Sequence, residues 1–300
     1  MSQTRPISER LIFWLPFAWL VLFFLVPFLI VVKISLSQAA LSQPPYEPVL
    51  TMVDGWDGLL SKLAGLSLTS YDLLIEDGLY LAAYASSLRL AALATCLTLL
   101  IGYPLAYAIA RAPVGWRASL LLLAVAPFWT SFLIRVYAWI AILKDEGLLN
   151  WALMTVGIIS EPLQIMASDT AVLIGITYAY LPFMVLPLYS SIERQPVALR
   201  EAAADLGASP WSIFWRITVP LSRAGIVAGC LLVFIPAIGE FVIPDLLGGS
   251  QTLMIGKSLW VEFFDNRDWP MASSVAVVLL ILLVLPMALY ERAQMAQVRS

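Results

Sequence analysis

The chain has 300 residues, of which 61% are apolar and 12% charged, with a net charge of −3 and no histidine. An average soluble domain is about 25% charged, so this much apolar surface needs lipid to cover it, and the charge does not indicate a nucleic-acid partner. The missing histidine removes Ser-His-Asp and Cys-His nucleophiles, His-based metal sites and histidine proton relays, so neither a catalytic nor a metal-binding residue is expected.

About twenty apolar residues cross a bilayer as a helix, and lipid offers an open backbone no other choice. Six stretches qualify: 11–34, 82–110, 118–143, 171–192, 223–244 and 271–290. The first follows Arg5 and Arg10, but it is longer than the apolar region of a secretory signal and reads as a retained span. The second can start earlier, because Leu79–Leu90 is already periodic. Cys96 and Cys230 lie inside apolar runs, read as small packed side chains, and imply no disulfide framework. The fold class is therefore an all-α integral membrane protein with six transmembrane helices, formed by a single transmembrane domain, 1–300.

Charge orients these spans. With a cytoplasmic N-terminus, the inner segments hold Arg5, Arg10, Arg111, Arg117, Arg194, Arg200, Arg216, Arg223, Arg292 and Arg299. The outer segments hold Lys33, Lys62, Lys144, Lys257 and Arg267. Ten basic residues inside against five outside, on shorter inner loops, places both termini in the cytoplasm. The outer loops are acidic, with Asp54, Asp72, Asp77, Asp145, Asp169, Asp245 and Asp268 among them. Such loops are either simply solvated or a docking surface for a soluble partner or a cationic substrate.

Three ionisable residues remain within spans: Arg89, Arg135 and Glu240. A charge at the bilayer centre costs about 2.5–3.5 kcal/mol on insertion scales, so it turns to a bundle interior or a watery cavity. Both arginines fall in outer half-spans, where snorkelling or ion pairing accounts for them. Glu240 lies in Pro236-Ala-Ile-Gly-Glu-Phe, where proline and glycine loosen a helix. Arg135 is expected to pair with an acid such as Glu240.

Between spans four and five, residues 193–222 form an inner loop too long for a turn. Pro196 permits a helix start, and the alanine-rich stretch 197–206 has good helix propensity. Gly207 supplies a left-handed stop; Ser209 and Pro210 then supply an N-cap and first helical position. A second short helix runs through Trp211, Phe214, Trp215 and Ile217, and Pro220 ends it. Physically this is an interfacial amphipathic segment. Its spacing, Glu201-Ala202-Ala203, three residues, Gly207, nine residues, Ile217, one residue, then Val219-Pro220, resembles the EAA loop of ABC importer permeases. Val219 stands where that family usually has leucine.

The resemblance implies a type I ABC importer permease fold and an ATPase-coupling loop of Glu201, Ala202, Ala203, Asp205, Gly207, Ile217 and Pro220. It extends to Phe128-Trp-Thr-Ser-Phe-Leu-Ile-Arg135-Val-Tyr-Ala-Trp139, Pro182-Phe-Met-Val-Leu-Pro187, Pro236–Gly249 and Asn266-Arg-Asp-Trp-Pro270, which look like the polyamine permeases. By that likeness the cargo is a polyamine, putrescine first and spermidine next, with another small solute or an ion-gradient-driven transporter as alternatives. It also implies a second, related permease subunit as heterodimer partner, two copies of an ATPase subunit and an extracytoplasmic polyamine-binding protein. The chain lacks a Gly-x4-Gly-Lys-Ser/Thr loop, so ATP and Mg belong to the partner ATPase and no cofactor binds here. A protonated diamine asks for carboxylates and aromatic walls. Glu240 and Asp245 offer the acid, and Trp129, Tyr137 and Trp139 the rings, although aromatic belts are also normal at membrane interfaces. Gly248-Gly-Ser reads either as an outer loop reaching toward the binding protein or as a plain flexible turn.

Overall fold

The structure is a computed structural model that describes residues 7–50 and 55–299; Arg5 and Asp54 of the charge count lie outside them, as do the side chains of Arg10, Arg292 and Arg299. Nearly everything is helical. In chain order, α1 (Ile7–Leu20) passes through a π-turn (Val21–Leu25) into α2 (Val26–Ser35), and a two-stranded hairpin follows, β1 (Gln38–Ala39) against β2 (Tyr46–Glu47). Next come α3 (Gly55–Ala64), α4 (Thr69–Glu76), α5 (Gly78–Arg111), α6 (Val114–Val125), a 3-10 turn (Ala126–Trp129), α7 (Phe132–Leu143), α8 (Leu148–Thr155) and α9 (Asp169–Glu193). The remainder is α10 (Val197–Asp205), α11 (Pro210–Ile213), a π-turn (Phe214–Thr218), α12 (Val219–Leu221), α13 (Arg223–Ile238), α14 (Val242–Leu247), α15 (Ile255–Trp260), a π-turn (Val261–Asp265) and α16 (Trp269–Arg299).

Among the described residues, Trp14–Ser35, Gly78–Arg111 and Asp169–Glu193 are long and apolar enough to cross a membrane. Two bent helix pairs raise that number to five, and Trp269–Val284 is a shorter apolar helix. The second span does start early, at Gly78. The stretch 118–143 is not one straight helix: it breaks at Thr130 and Ser131, both extended, and the two halves are bent by 89°. Pro127, with no N–H for the ladder and a ring that crowds the preceding turn, stands just past the end of α6, in the 3-10 turn that leads to the break. The stretch 223–244 likewise stops at Ile238 and resumes as α14.

The chain divides into two compact units. In one, formed by the described residues up to Leu81 and from Ser258 onward, α16 packs on α2 and α4. Tyr80 there donates to Glu262 Oε1 at 2.8 Å, Lys33 donates to the Pro48 carbonyl, and the Tyr46 and Trp269 rings lie 6.2 Å apart. Most of the Trp14–Ser35 stretch is exposed, as befits a lipid-facing or partner-facing span, and Ser35 at its end is buried.

The second unit, Ala82–Lys257, is built around α9. Met184 is fully buried between two glycines on neighbouring helices: a Cβ on Gly102 would lie 2.9 Å from its Cγ, and one on Gly229 2.6 Å from its Sδ. Further along, a Cβ on Gly225 would lie 2.5 Å from Ser191 Cβ and 2.7 Å from the Pro187 carbonyl. Small residues let backbones approach closely where lipid supplies no hydrophobic drive between helices. The segment after α14 is anchored at both ends, with Ser250 and Gln251 between them exposed. A Cβ on Gly249 would meet the Ala167 carbonyl at 2.3 Å, Ile255 N–H donates to Ser87 Oγ at 2.8 Å, and Met254 and Ile255 are fully buried.

Each break has its own polar lock. At the first, the Pro127 carbonyl accepts from the Thr130 N–H (3.3 Å), the Thr130 hydroxyl (2.8 Å) and Arg135 Nη1 (2.9 Å). Arg135 also lies over the rings of Phe128 and Phe132. At the second, Glu240 Oε1 accepts from the N–H groups of Val242 (3.0 Å) and Ile243 (3.4 Å), the first two of α14; the third residue is Pro244, which has none. The expected Arg135–Glu240 pair is therefore not formed: each side chain is committed to its own break. Arg89 pairs with Asp169, which also accepts from Thr252 Oγ1 at 2.9 Å.

Two outcomes test this packing. Gly115→Ala, with nothing within 4 Å of the new Cβ, gains about 1 kcal/mol of helix propensity. Gly225→Ala forces α9 and α13 apart and loses roughly 1–3 kcal/mol by overpacking. Thermal unfolding of the purified protein in detergent should then shift in opposite directions. In a cycle of Arg135→Met with Glu240→Gln, the stability losses should add, because the residues share no partner; a double variant no worse than either single one would restore the ion pair.

Candidate functional site

Two regions concentrate the residues singled out from sequence. The first is the loop from Glu193 to Ser222. Its α10 has no buried residue: Glu201, Ala202 and Asp205 are exposed, Ala203 half-buried, and Leu206 just beyond it is 89% exposed. The helix closes with two bonds, Gly207 N–H to the Ala204 carbonyl (2.9 Å) and Ala208 N–H to the Ala203 carbonyl (3.0 Å). This double closure needs a left-handed residue, and Gly207 takes it with φ +82°. Ser209 Oγ then accepts the Ser212 N–H at 3.3 Å, with Pro210 at the first position of α11.

The second half of the loop is anchored. Phe214 meets the rings of Tyr103 and Tyr107 edge-on, with centroids 5.6 and 5.5 Å apart. Tyr103 Oη lies 2.8 Å from Ser222 Oγ, and Gln195 Nε2 donates to the Thr218 carbonyl at 3.0 Å. Ile217 and Pro220 are half-buried in this anchored part. Pro220 does not end the helix: it lies inside α12, and the chain turns at Ser222 into α13 with a 65° bend. Its ring would crowd the carbonyl of Arg216, four residues back, and that residue sits in the wide π-turn Phe214–Thr218. Pro27 stands in the same relation to Phe23 in the π-turn Val21–Leu25.

The second region surrounds Glu240, which is 8% exposed. Its Oε2 accepts from the Tyr180 hydroxyl at 2.5 Å. Tyr180 begins a series of rings, with Phe183 6.0 Å away and Phe128 a further 5.1 Å from Phe183. Of the other pathway candidates, Asp245 is exposed and pairs with Lys257 at 3.2 Å, and Trp139 meets Tyr178 edge-on at 5.4 Å. Trp129 and Tyr137 are 74% and 57% exposed and make no ring contact among the described residues. The ring that touches Glu240 is Tyr180, with Phe183 next in the series; neither was among the pathway residues singled out from sequence. Both are uncharged, and only their three-residue helical spacing sets them on one face.

Comparison with known proteins follows the same lines. The sequence profile of the family described as binding-protein-dependent transport system inner membrane component matches residues 5–294. The chain is 40% identical over 277 residues to the spermidine/putrescine transport system permease protein PotB of Haemophilus influenzae, covering 92% of this chain and 91% of that protein. Its identity to PotB of Escherichia coli K12 is also 40%, over 275 residues covering 92% and 94%. In fold it is similar to a chain of a bacterial alginate ABC transporter crystallised with an alginate-bound periplasmic protein, with a TM-score of 0.66, 15% identity and 93% of each chain covered. Family profile, relatives and apolar helices agree: the chain belongs to the family of binding-protein-dependent transport system inner membrane components and is a multi-pass permease of the cytoplasmic membrane, not an enzyme.

Proposed function

We propose that this chain is the permease subunit of an ATP-driven importer that takes up polyamines, putrescine first and spermidine next. The observation that carries the reading is α10: a helix with no buried residue, held on a loop whose other half is bolted into the bundle by Phe214. An exposed helix on a rigid mount is suited to receiving a push from outside and passing it to α5, α9 and α13. Glu201 offers that partner a charge-assisted contact, and Ala202 and Ala203 allow close approach.

On this reading the six spans of the sequence run with both termini in the cytoplasm, in accord with the positive-inside count. The residues 193–222 then face an ATPase subunit, which brings ATP and Mg. The assembly contains a second, related permease, two ATPase copies and a polyamine-binding protein on the acidic outer side. Binding-protein docking and ATP-driven closure of the ATPase pair move the substrate through by alternating access. Relatives named for spermidine and putrescine transport support the choice of cargo. Glu240 supports it chemically as a buried acid beside aromatic rings.

The test is reconstitution in proteoliposomes with the partner subunits and binding protein, following labelled putrescine. Uptake should require ATP inside and the ATPase; uptake by this chain alone on an ion gradient would overturn the importer reading. Gly207→Val, which places a branched residue in the left-handed region at a cost of roughly 1–2 kcal/mol, should unravel the end of α10. ATPase co-purification or coupled uptake should fall about tenfold, while membrane insertion is retained. Wild-type uptake in that variant would detach α10 from the coupling role.

A further inference from the structure

The two oxygens of the Glu240 carboxylate are held in different ways. Oε1 is fixed by the backbone, accepting the N–H groups of Val242 and Ile243 at the start of α14. Oε2 is held by one side chain, the Tyr180 hydroxyl. None of the described ion pairs includes Glu240, so among the described residues no cation offsets it. A buried carboxylate without a counter-charge is costly, and the C-terminal end of α13 directly before it adds a partial negative charge that favours a cation.

Tyr180 is half-buried, and Phe183 beyond it is 38% exposed. The ring series ends at Phe128, whose face Arg135 already covers at 5.3 Å. Arg135 therefore occupies the Phe128 end of the series, and the Glu240 end carries no cation among the described residues. A second cation laid along the rings would run into the guanidinium.

We infer that Glu240 Oε2 receives the primary ammonium end of a linear amine, and that the Tyr180 hydroxyl is the placeholder this amine displaces. An ammonium N–H replaces the phenol O–H one for one and adds the missing charge. The rings of Tyr180 and Phe183 flank the first methylenes, and the ammonium gains from their faces. The other end of a diamine leaves on the side of the α13–α14 break, where Pro236 and Gly239 are exposed. A quaternary ammonium has no N–H and does not replace the hydroxyl. The inference rests on the importer reading, and Tyr180 is its specificity-determining residue.

The experiment uses the assembled permease–ATPase complex in nanodiscs without the binding protein, titrated with putrescine while its thermal unfolding is followed. Tetramethylammonium chloride at matched ionic strength is the control. Wild type should be stabilised by putrescine and not by tetramethylammonium. Tyr180→Phe removes the competing donor and should reach half-saturation at about tenfold lower putrescine. Glu240→Gln, which keeps an oxygen for Val242 and Ile243, should lose the response. If that variant fails to assemble, the Tyr180→Phe titration alone decides. An unchanged or weaker half-saturation in Tyr180→Phe, a response surviving in Glu240→Gln, or equal stabilisation by tetramethylammonium would each overturn the site. A complex that imports putrescine with its binding protein but shows no response overturns the site alone. One that does neither overturns the importer reading as well.

Discussion

Wherever a helix stops inside a bilayer, its end groups must find partners within the protein, because lipid offers none. This constraint shapes the unit Ala82–Lys257 more than any other. The break between α13 and α14 frees the N–H groups of Val242 and Ile243, and one carboxylate oxygen of Glu240 takes both. Pro244, next in line, has no N–H to satisfy. At the break between α6 and α7 the free acceptor is the Pro127 carbonyl, and Arg135 and Thr130 fill it. Arg135 and Glu240, which look anomalous in the spans, are therefore the fittings at the two bends, while Arg89 pairs with Asp169.

The same fittings leave chemistry to spare. A carboxylate has two oxygens, and the backbone uses only one of them at Glu240. A residue introduced as a structural cap thus presents its other oxygen, screened by one phenol, beside a short aromatic wall. Arg135, locked to its own break, neither neutralises that carboxylate nor leaves the far end of the wall free. Structural and functional readings of Glu240 are accordingly not rivals, since each uses a different atom.

A comparable division governs the loop 193–222. Phe214, Gln195 and Ser222 tie its second half to α5 and to the π-turn, whereas α10 touches little of its own chain. Gly207, at φ +82°, separates the anchored half from the free half. The wide π-turn that makes room for Pro220 belongs to the anchored half. The anchored half packs on α5 through Phe214, against the rings of Tyr103 and Tyr107.

Much of this was legible in residue order because it depends on local rules. Apolar runs of span length, the closure of α10 at Gly207 and the cap at Ser209 all follow from backbone chemistry within a few residues. What lay beyond reach was every feature set by residues far apart in the chain. Arg135 and Glu240 looked like a natural pair, yet partner choice depended on which free backbone group each helix break presented. Tyr180 lies sixty residues before Glu240 and carries no charge or motif to mark it. The bend at Thr130 was only hinted at by Pro127, because a proline marks where a helix can be interrupted and not how far the chain then turns. Sequence alone determined that this protein lives in the membrane and where its loop turns, since hydropathy and turn chemistry are local. Only the tertiary structure decided which polar groups meet, since in a bilayer each must settle its hydrogen bonds with whatever neighbour the packing brings.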